Sequence, residues 1–520
     1  MPYFRCGGGD SGSGSTIKVV TGDDGLFGQP VTLSDGVTTL SGQFSAEGRY
    51  TFKNVMMLGT LTIASSVSGV AVTDTVEVPY YGTLEVDFGR DKKIIDITTD
   101  EPTLIGQTVT LTYDTSRTKT ATISIAGKAS FTLYGYTGAA TVSATDGEET
   151  AEASITITSS IDTYSVDLGF SKIYGVSWTG SSSPAMTRTD AAVGFVDPVP
   201  QMKSGSGWTV GSSPFDNIMP WAGMEIVDDA TAGKLVKIPK YYFKWTKSGS
   251  AMTLQISDKN FDGAHVSPAH ADRGDGVGER DYVYVGRYHC ASDYKSKTSV
   301  ACKASATRSA FRSSIHNLGS DIWQYDFAMY WTIMMLYLVE FANWNSQATI
   351  GYGCSDSGSV QNTGLTDAMT YHTGTTQSNR TTYGHTQYRH IEDLWGNVYD
   401  WCDGIRFSGA DVYIINNPAS FSDSGGGTKV GTRPTSDGYI SAWSLPSVSG
   451  LEWALYPSAV SGSDSTYICD YCYYNSSGVV LHVGGSYVQS QYRGAFYLGG
   501  YDTASGSNAH IGSRLQKLPA

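Results

Sequence analysis

The chain has 520 residues, with 60 glycines, 34 tyrosines and only 16% charged residues. This composition favours a β-rich protein with many turns and polar, uncharged surfaces, and it does not fit long charged helices. The net charge of −14 and the pI of about 5.0 argue against nucleic acid or an anionic membrane surface as a partner.

Targeting and cysteine signals favour synthesis in a reducing cytoplasm. The N-terminal segment does not have the basic and then apolar pattern of a signal peptide. The most apolar run, Phe327 to Val339, is too short to span a bilayer, so we expect a buried core helix and no membrane insertion. Seven cysteines are too few for a dense disulfide framework in a chain of this length.

The first 15 residues are rich in Gly and Ser. Two interpretations stay open for residues 1–15. They form either a flexible N-terminal tail or an attachment peptide that becomes ordered on a larger assembly.

An internal repeat follows. Three anchors recur at a spacing of roughly 80 residues, and such agreement between separate anchors indicates a duplicated structural unit. The recurring pairs are Gly28-Gln29-Pro30-Val31-Thr32-Leu33 with Gly106-Gln107-Thr108-Val109-Thr110-Leu111, Gly48-Arg49-Tyr50-Thr51-Phe52 with Gly127-Lys128-Ala129-Ser130-Phe131, and Val86-Asp87-Phe88-Gly89 with Val166-Asp167-Leu168-Gly169. Short alternating strands in both copies predict two immunoglobulin-like β-sandwiches, residues 16–90 and 91–170, which serve as spacer or assembly modules.

The composition and periodicity of the sequence change twice after residue 170. Residues 171–234 combine Gly, Ser, Pro and Trp with little periodicity and are predicted to form an irregular connector. A final domain is expected at 235–520. Its strand candidates are 235–245 and 282–288, and its one strong helix is expected over Ile322–Trp344.

In the C-terminal stretch from Val480 to Leu515, two apolar segments flank a run rich in Tyr, Ser, Gly and Asn. Recognition loops have this composition, because Tyr supplies a large amphipathic area and the small polar residues supply adaptable hydrogen bonds. A Gly/Ser-rich region of strands and turns has it too, so both interpretations stay open.

Four motifs within 235–515 come in a fixed order: Leu235-Val-x-Ile-Pro239, Asp393-Leu-Trp-Gly-Asn-Val-Tyr-Asp-Trp401, Gly484-Gly-Ser-Tyr487 and Ile511-Gly-x-Arg514. Together they resemble the C-type-lectin-like fold of the formylglycine-generating (sulfatase-modifying) enzyme family. The resemblance is closer to the non-enzymatic branch of that fold, which contains phage tail-fibre and tropism proteins, including variable proteins diversified by retroelements. It implies a mostly β multidomain protein that ends in an α+β lectin-like domain.

This resemblance also implies a function. The expected protein is part of a phage tail, is made in the bacterial cytoplasm, and attaches the virion to a glycan or protein receptor on the host surface. A homotrimer is expected, with the N-terminal region held by other virion tail proteins. A structural virion or cell-surface protein of the same fold, without a dedicated ligand, is the alternative.

Enzymatic activity of the family's oxidase type is not expected. The oxidase members carry two cysteines shortly after Gly-Gly-Ser-Trp/Tyr, and the corresponding positions here are Gln489 and Gly494. Neither residue can act as a thiolate nucleophile or a copper ligand. Cys469 and Cys472 lie upstream and do not replace the pair, so we expect buried free thiols or a local disulfide there.

The resemblance also implies a structural Ca²⁺ in the middle motif. Carried over by position, the carboxylates of Asp393 and Asp400 and the carbonyls of Gly396 and Val398 would bind the ion, since Ca²⁺ prefers hard oxygen ligands. The alternative is that Asp393 caps a turn and Asp400 is hydrogen-bonded.

The candidate ligand contacts follow from the retroelement resemblance. Adenine-directed mutagenesis of Asn-type codons can produce Tyr, Ser, Asp, His, Gly, Arg or Asn, but it cannot produce Gln. The candidate contacts are therefore Tyr487, Ser490, Tyr492, Arg493, Tyr501, Asp502, Ser507, Asn508 and His510. The residues expected to form the core beneath them are Phe496, Leu498, Ile511 and Leu515.

Overall fold

A computed structural model describes residues 14–78, 82–99, 101–114, 117–147, 150–170, 172–489 and 493–519. The chain forms two compact units, Met1–Phe170 and Ser171–Ala520. Strands dominate both units, so the prediction of a mostly β multidomain fold is confirmed. The candidate contacts Ser490 and Tyr492, and all but the last two residues of the segment 1–15, lie outside the described residues.

The first half of the N-terminal unit is a sandwich of two sheets. Its strands are β1 Ser15–Val20, β2 Pro30–Ser34, β3 Thr39–Gln43, β4 Arg49–Val55, β5 Gly59–Val67, β6 Val70–Val78 and β7 Thr83–Asp87. The sheet β4-β1-β7 packs against the sheet β3-β2-β5-β6. Ile17 and Val19 of the first sheet share one core with Leu33, Leu61 and Ile63 of the second, because alternate residues of each strand point inward.

The second half repeats this architecture. Its strands are β8 Lys92–Thr98, β9 Thr108–Tyr113, β10 Arg117–Thr122, β11 Lys128–Tyr134, β12 Gly138–Thr145, β13 Thr150–Ile157 and β14 Thr163–Asp167. The sheets are β11-β8-β14 and β10-β9-β12-β13. Ile95 and Ile97 pack with Leu111 and Val142 in a separate core. The sequence repeat is therefore a repeat of structure.

One repeated anchor is a turn that requires glycine. Gly48 and Gly127 have φ angles of +69° and +67°, in the left-handed region that favours glycine. Their carbonyls accept hydrogen bonds from the backbone N–H groups of Thr21 and Thr99 at 2.8 and 2.9 Å. A Cβ at either glycine would also collide with the carbonyl oxygen of the same threonine. The two copies thus keep this residue for the same steric reason.

The strand pairing differs from that of immunoglobulin constant domains. In both sandwiches the first strand lies between the fourth, which is antiparallel to it, and the seventh, which is parallel to it. Lettered in chain order, the sheets are DAG and CBEF, whereas immunoglobulin constant domains pair their strands as ABED and CFG. Alternation of apolar and polar residues predicts that a strand has a buried face, but it does not identify the neighbouring strand.

Within its described residues the second unit contains three α-helices, α1 Arg308–His316, α2 Phe327–Phe341 and α3 Ser346–Thr349. Its strands are β15 Tyr174–Trp178, β16 Thr187–Asp190, β17 Gln201–Ser204, β18 Gly207–Trp208, β19 Glu225–Asp229, β20 Gly233–Pro239, β21 Tyr242–Ser248, β22 Ala251–Ser257, β23 His265–Val266, β24 Tyr282–Gly286, β25 Ile322–Gln324, β26 Gly374–Thr375, β27 Thr386–Tyr388, β28 Ile391–Glu392, β29 Tyr399–Cys402, β30 Ile405–Ser408, β31 Asp411–Ile414, β32 Thr428–Thr432, β33 Gly438–Ser444, β34 Tyr456–Val460, β35 Tyr471–Tyr474, β36 Val480–Val483, β37 Leu498–Asp502, β38 Ile511–Gly512 and β39 Leu515–Lys517.

These strands form five sheets. Three have five strands each, in the orders β16-β15-β22-β21-β23, β18-β17-β26-β27-β28 and β19-β20-β24-β39-β25. A three-stranded sheet has the order β30-β31-β32, and a seven-stranded sheet has the order β34-β33-β35-β37-β36-β29-β38. The seven-stranded sheet contains much of the predicted recognition region and positions the candidate site.

The predicted helix over Ile322–Trp344 is shorter in the structure. Helix α2 begins at Phe327, because Ile322–Gln324 pair with β39 and the Asp326 side chain caps the helix by accepting from the Met329 N–H at 2.8 Å. Its last residue is Phe341, and the C-cap residue Ala342 has a left-handed φ of +49°. Every residue of α2 is buried, as expected for a helix that is apolar on all sides. None of the helices in the described residues is long and apolar enough to cross a membrane.

The segment 171–234, predicted to be a connector, belongs to the core of the second unit. Strand β15 pairs with β22, and the side chains of Trp178 and Trp221 are buried in the main core. Arg188 donates to the carbonyls of Val339 and Glu340 at the end of α2, both at 2.8 Å. Long-range pairing and packing order this segment, and neither leaves a periodic signal in the local sequence.

Candidate functional site

The seven-stranded sheet brings several aromatic residues of the C-terminal region together. Tyr399 lies on β29, Tyr473 on β35, His482 on β36 and Tyr501 on β37. The Tyr473 and Tyr501 ring centroids are 5.5 Å apart, and those of Tyr399 and His482 are 4.4 Å apart. Neighbouring strands lie close enough for such cross-strand ring contacts. We call Tyr399, Tyr473, Tyr497, Tyr501, His482 and Arg493 the aromatic cluster.

Arg493 lies at the centre of the aromatic cluster. Its guanidinium carbon is 4.9 Å from the ring centroids of both Tyr473 and Tyr497 and 5.8 Å from that of Tyr399. The guanidinium donates to the hydroxyl of Tyr473 at 3.0 Å and to that of Tyr399. Burial lowers the pKa of Arg493. Only 5% of the side chain is exposed, so Arg493, a predicted contact, holds the rings from beneath the surface.

Asp502, another predicted contact, is also buried. Its carboxylate Oδ2 lies 3.0 Å from Nδ1 of His482, and the His482 side chain has no exposed surface. The His482 ring lies 5.2 Å from that of Tyr501. Asp502 therefore lies beside a histidine behind the tyrosine rings. The alternation along β37 explains this result, since Tyr501 and Asp502 must point to opposite faces.

The remaining described contacts are nearer the surface. Tyr487, Tyr501, Asn508 and His510 are half-buried, and Ser507 is exposed. The His510 ring lies 5.8 Å from that of Tyr399, so it joins the edge of the aromatic cluster. Burial raises the pKa of Tyr501 to about 12, so its hydroxyl stays protonated at neutral pH.

Three tyrosines on β33 and β35, outside the predicted stretch of residues 480–515, lie beside one another and extend this surface. Tyr471 and Tyr473 on β35 are half-buried, with ring centroids 4.6 Å apart. Tyr439 on β33 lies 5.0 Å from Tyr471. The signal was present in the sequence, because residues i and i+2 of a strand share a face and Tyr471-Cys472-Tyr473 has this spacing.

Asp470 anchors the segment that carries Arg493. Its carboxylate accepts from the backbone N–H groups of Gly494 at 2.5 Å and Phe496 at 2.8 Å. The Ser346 hydroxyl accepts from the N–H of Ala495 at 2.9 Å. Burial raises the pKa of Asp470 to about 7. The expected core beneath the segment is confirmed, because all four of its predicted residues are buried: Phe496, Leu498, Ile511 and Leu515.

The two carboxylates of the middle motif have separate partners in the structure. Asp400 Oδ2 accepts from Nε of Arg514 at 3.0 Å and lies 3.5 Å from Nε2 of His289. Asp393 Oδ2 lies 2.6 Å from Nδ1 of His385. The other oxygen of Asp400, Oδ1, is buried and accepts no hydrogen bond from the described residues. The alternative, a hydrogen-bonded Asp400, agrees with this geometry.

The other two predicted Ca²⁺ ligands also have structural roles. Gly396 has a φ of +97°, and its N–H donates to the Gly485 carbonyl at 3.1 Å. Val398 is 2% exposed and packs beside Gly512. The middle motif therefore joins the Gly-Gly-Ser-Tyr and Ile-Gly-x-Arg motifs through packing and hydrogen bonds.

Cys469 and Cys472 are free thiols, which selects one of the two interpretations left open by the sequence. Burial raises the pKa of each to about 12. The two thiols therefore stay protonated at neutral pH and are poor nucleophiles.

No protein-family model and no curated protein matches this chain. Among solved structures, the Bacillus anthracis TIE protein is 13% identical over 34% of this chain and 42% of its own, at a TM-score of 0.14. The minor pilin GBS52 of Streptococcus agalactiae is 13% identical over 29% of this chain and 94% of its own, at 0.13. A Bacteroides ovatus protein titled a putative adhesin is 9% identical over 30% of this chain and 88% of its own, at 0.14. These TM-scores do not assign the chain to a family.

Proposed function

We propose that this protein is a receptor-binding protein of a phage tail. It attaches the virion to a glycan or protein on the bacterial surface through the exposed edge of the aromatic cluster. The observation that carries this proposal is the placement of half-buried Tyr473 over the buried guanidinium of Arg493, with the half-buried ring of Tyr501 against that of Tyr473. The proposal also rests on the sequence resemblance to tropism proteins with a lectin-like C-terminal domain.

The physical chemistry of the aromatic cluster suits recognition. A tyrosine offers a broad apolar ring and a hydroxyl at one edge, so it can stack on a sugar face or a side chain while it hydrogen-bonds. Rings held by neighbours lose little conformational entropy when a ligand binds. Here Arg493 and the cross-strand ring contacts hold Tyr473 in place before any ligand arrives.

The remaining parts of the proposal come from the resemblance alone. The two sandwiches act as spacers between the particle and the second unit, and the N-terminal region contacts other tail proteins. The protein acts as a homotrimer in the virion, after synthesis in the bacterial cytoplasm. It is a binding protein and not an enzyme, and the middle motif with Asp393 and Asp400 would hold a structural Ca²⁺.

The test is binding of the full chain to intact cells of candidate bacterial hosts. We expect saturable binding that weakens at least about tenfold in Tyr473→Ala and Tyr501→Ala, since tyrosine is enriched among the hot-spot residues of binding interfaces. Tyr282→Ala is the matched control, because Tyr282 is also an exposed strand tyrosine, 42% accessible, but lies on β24. Equal binding by all three variants would place the site elsewhere. Failure to bind a host that the parent particle infects would favour the structural protein without a ligand.

A further inference from the structure

Two clefts in the second unit are separated by a pair of tyrosines. The first cleft has a volume of about 430 Å³ and the second of about 450 Å³, and both sizes are typical of ligand pockets. Tyr383 lines the first cleft and Tyr352 lines the second, and the two ring centroids are 5.5 Å apart. Among the described residues that line the two clefts, none belongs to the aromatic cluster.

Backbone hydrogen bonds hold the tyrosine pair in place. The Tyr352 N–H donates to the Arg380 carbonyl at 3.2 Å, and the Gly384 N–H donates to the Gly353 carbonyl at 3.1 Å. These two bonds set the two chain segments side by side, so each ring supports the other. Rings that are ordered before a ligand arrives lose little entropy on binding. They can stack on the apolar face of a sugar and hydrogen-bond through the hydroxyl at their edge.

The first cleft has a cation on one wall. Lys203 and Trp208 lie opposite each other in the hairpin of β17 and β18, and the Lys203 ammonium is 4.8 Å from the centroid of the Trp208 ring. The Lys203 N–H donates to the Gln377 carbonyl at 3.2 Å, which brings Gln377 to this wall. The exposed Asp356 lines the same cleft. Neither Lys203 nor Asp356 forms an ion pair with a described residue.

The second cleft has the same kinds of groups from other residues. The Arg380 guanidinium donates through Nη1 to the Thr349 carbonyl at 2.9 Å, which fixes it at the end of α3. Asp464 lines this cleft, and both charged side chains are exposed. In the part of the chain that the structure describes, Arg380 and Asp464 form no ion pair. Each cleft therefore has a tyrosine wall, one unpaired cation and one unpaired carboxylate.

This repeated set of groups limits the chemistry of the ligand. An unpaired cation suits a ligand carboxylate, because hydrogen bonds between charged groups are the stronger ones. An ionised carboxylate only accepts hydrogen bonds, so Asp356 and Asp464 suit ligand hydroxyls. A uronic-acid unit has an apolar ring face, several hydroxyls and one carboxylate, and linked units present this set repeatedly.

We propose that the two clefts bind uronic-acid units of one acidic polysaccharide chain. Lys203 and Arg380 each pair with a carboxylate of the polysaccharide, Asp356 and Asp464 accept from its hydroxyls, and the tyrosine pair lies between the bound units. The site shares no residue with the aromatic cluster, so it does not depend on the attachment proposed above. Because the protein has a net charge of −14 and repels an anionic polymer as a whole, such binding requires these local cations.

The test uses the full chain and hexasaccharides of galacturonate, mannuronate and guluronate, with binding measured by isothermal titration calorimetry. We expect at least one of the three to bind with one hexasaccharide per chain. Lys203→Met and Arg380→Met should each weaken this binding at least about tenfold, because each removes a charged hydrogen-bond donor. The methyl ester of the same hexasaccharide keeps the rings and most hydroxyls but loses the charges, and it should bind at least about tenfold more weakly than the acid.

Lys234→Met is the matched control, because it removes the same charge from an exposed lysine that lines neither cleft. It should bind like wild type, and so should Tyr473→Ala, which separates this site from the aromatic cluster. The proposal is overturned if none of the three acids binds, if the ester binds as tightly as the acid, or if only one of the two cleft variants loses affinity. An equal loss in Lys234→Met would show an effect of net charge and would also overturn it. The ester needs no change in the protein, so this comparison does not depend on the folding of a variant.

Discussion

Two buried carboxylates of the second unit, those of Asp400 and Asp470, have opposite electrostatic surroundings. Asp400 forms an ion pair with the guanidinium of Arg514. The guanidinium binds Asp400 through Nε and donates to the carbonyls of Gly286, Glu392 and Asp393, each at 2.9 Å. Burial raises the pKa of Asp400, but Arg514 and His289 outweigh it and hold the pKa below its ordinary value. This carboxylate stays ionised, and three chain segments meet on one side chain.

Beneath the segment that carries Arg493, Asp470 has only neutral donors. The carboxylate is fully buried, and within the described residues its partners are the N–H groups of Gly494 and Phe496. The ion pair of Asp400 and Arg514 therefore stays charged at all ordinary pH values. The segment that carries Arg493 is instead anchored by Asp470, whose pKa of about 7 lies near neutrality. The following predictions test this difference.

The largest expected effect is that of Arg514→Ala. The change leaves Asp400 buried without its guanidinium and removes the donor to the carbonyls of Gly286, Glu392 and Asp393. Breaking a buried pair from one side costs about 3–5 kcal/mol of the free energy of unfolding. Urea denaturation measures the loss. Lys234→Ala is the control, because the exposed pair of Lys234 with Asp228 is worth at most about 1 kcal/mol. Equal losses in the two variants would contradict the role of Arg514.

Asp470→Asn should change the pH dependence of stability. The folded protein keeps the Asp470 proton up to about pH 7, whereas the unfolded chain releases it near the ordinary aspartate pKa of 3.8. The folded state therefore binds the extra proton between these values, and stability falls as pH rises through this range. The slope is at most about 1.4 kcal/mol per pH unit.

Denaturation of wild type and Asp470→Asn at several pH values measures this contribution. Asn is neutral throughout and should remove the slope between about pH 4 and pH 7. The matched variant Asp400→Asn should not remove it, because the Asp400 pKa is held low by Arg514. An unchanged slope in Asp470→Asn would contradict the titration of this anchor.

Arg493→Met keeps the length of the side chain and removes its charge. It should lower the free energy of unfolding by about 2 kcal/mol, because a desolvated cation over aromatic rings contributes about that much. The hydroxyls of Tyr399 and Tyr473 lose their donor as well. Thermal denaturation checks the loss. A variant as stable as wild type would show that the tyrosine rings of the aromatic cluster pack equally well without the guanidinium of Arg493.

Part of this structure was accessible from the sequence. The repeated anchors, Gly48 and Gly127 among them, predicted a duplicated unit, and in the structure both glycines form equivalent turns where a Cβ would collide with the facing carbonyl. The strand order was not accessible, because a strand pattern identifies a buried face and not a neighbour. Helix α2 was predicted too long, because Asp326 can cap a helix only after β25 has ended.

The sites were harder to predict. The codon argument of the retroelement resemblance selected Arg493 and Asp502 as contacts, but it does not show which face of the sheet a residue occupies, and both are buried. His385 and Asp393 flank the hairpin of β27 and β28, and the pairing of these strands brings the imidazole and the carboxylate together. Tyr473 is the opposite case, because its alternation with Tyr471 was visible and was missed.

The smallest effect on stability is expected for Tyr501. Its ring contacts Tyr473 at 5.5 Å and His482 at 5.2 Å, and one side faces solvent. Tyr501→Ala should cost about 1 kcal/mol of the free energy of unfolding, since it removes aromatic pairs but creates no closed cavity. Tyr501→Phe keeps the ring and should be as stable as wild type. If Tyr501→Phe also binds cells like wild type, the ring face carries recognition. If it binds as weakly as Tyr501→Ala while it remains stable, the hydroxyl carries it, and the ligand must offer a hydrogen-bonding group at that edge of the aromatic cluster.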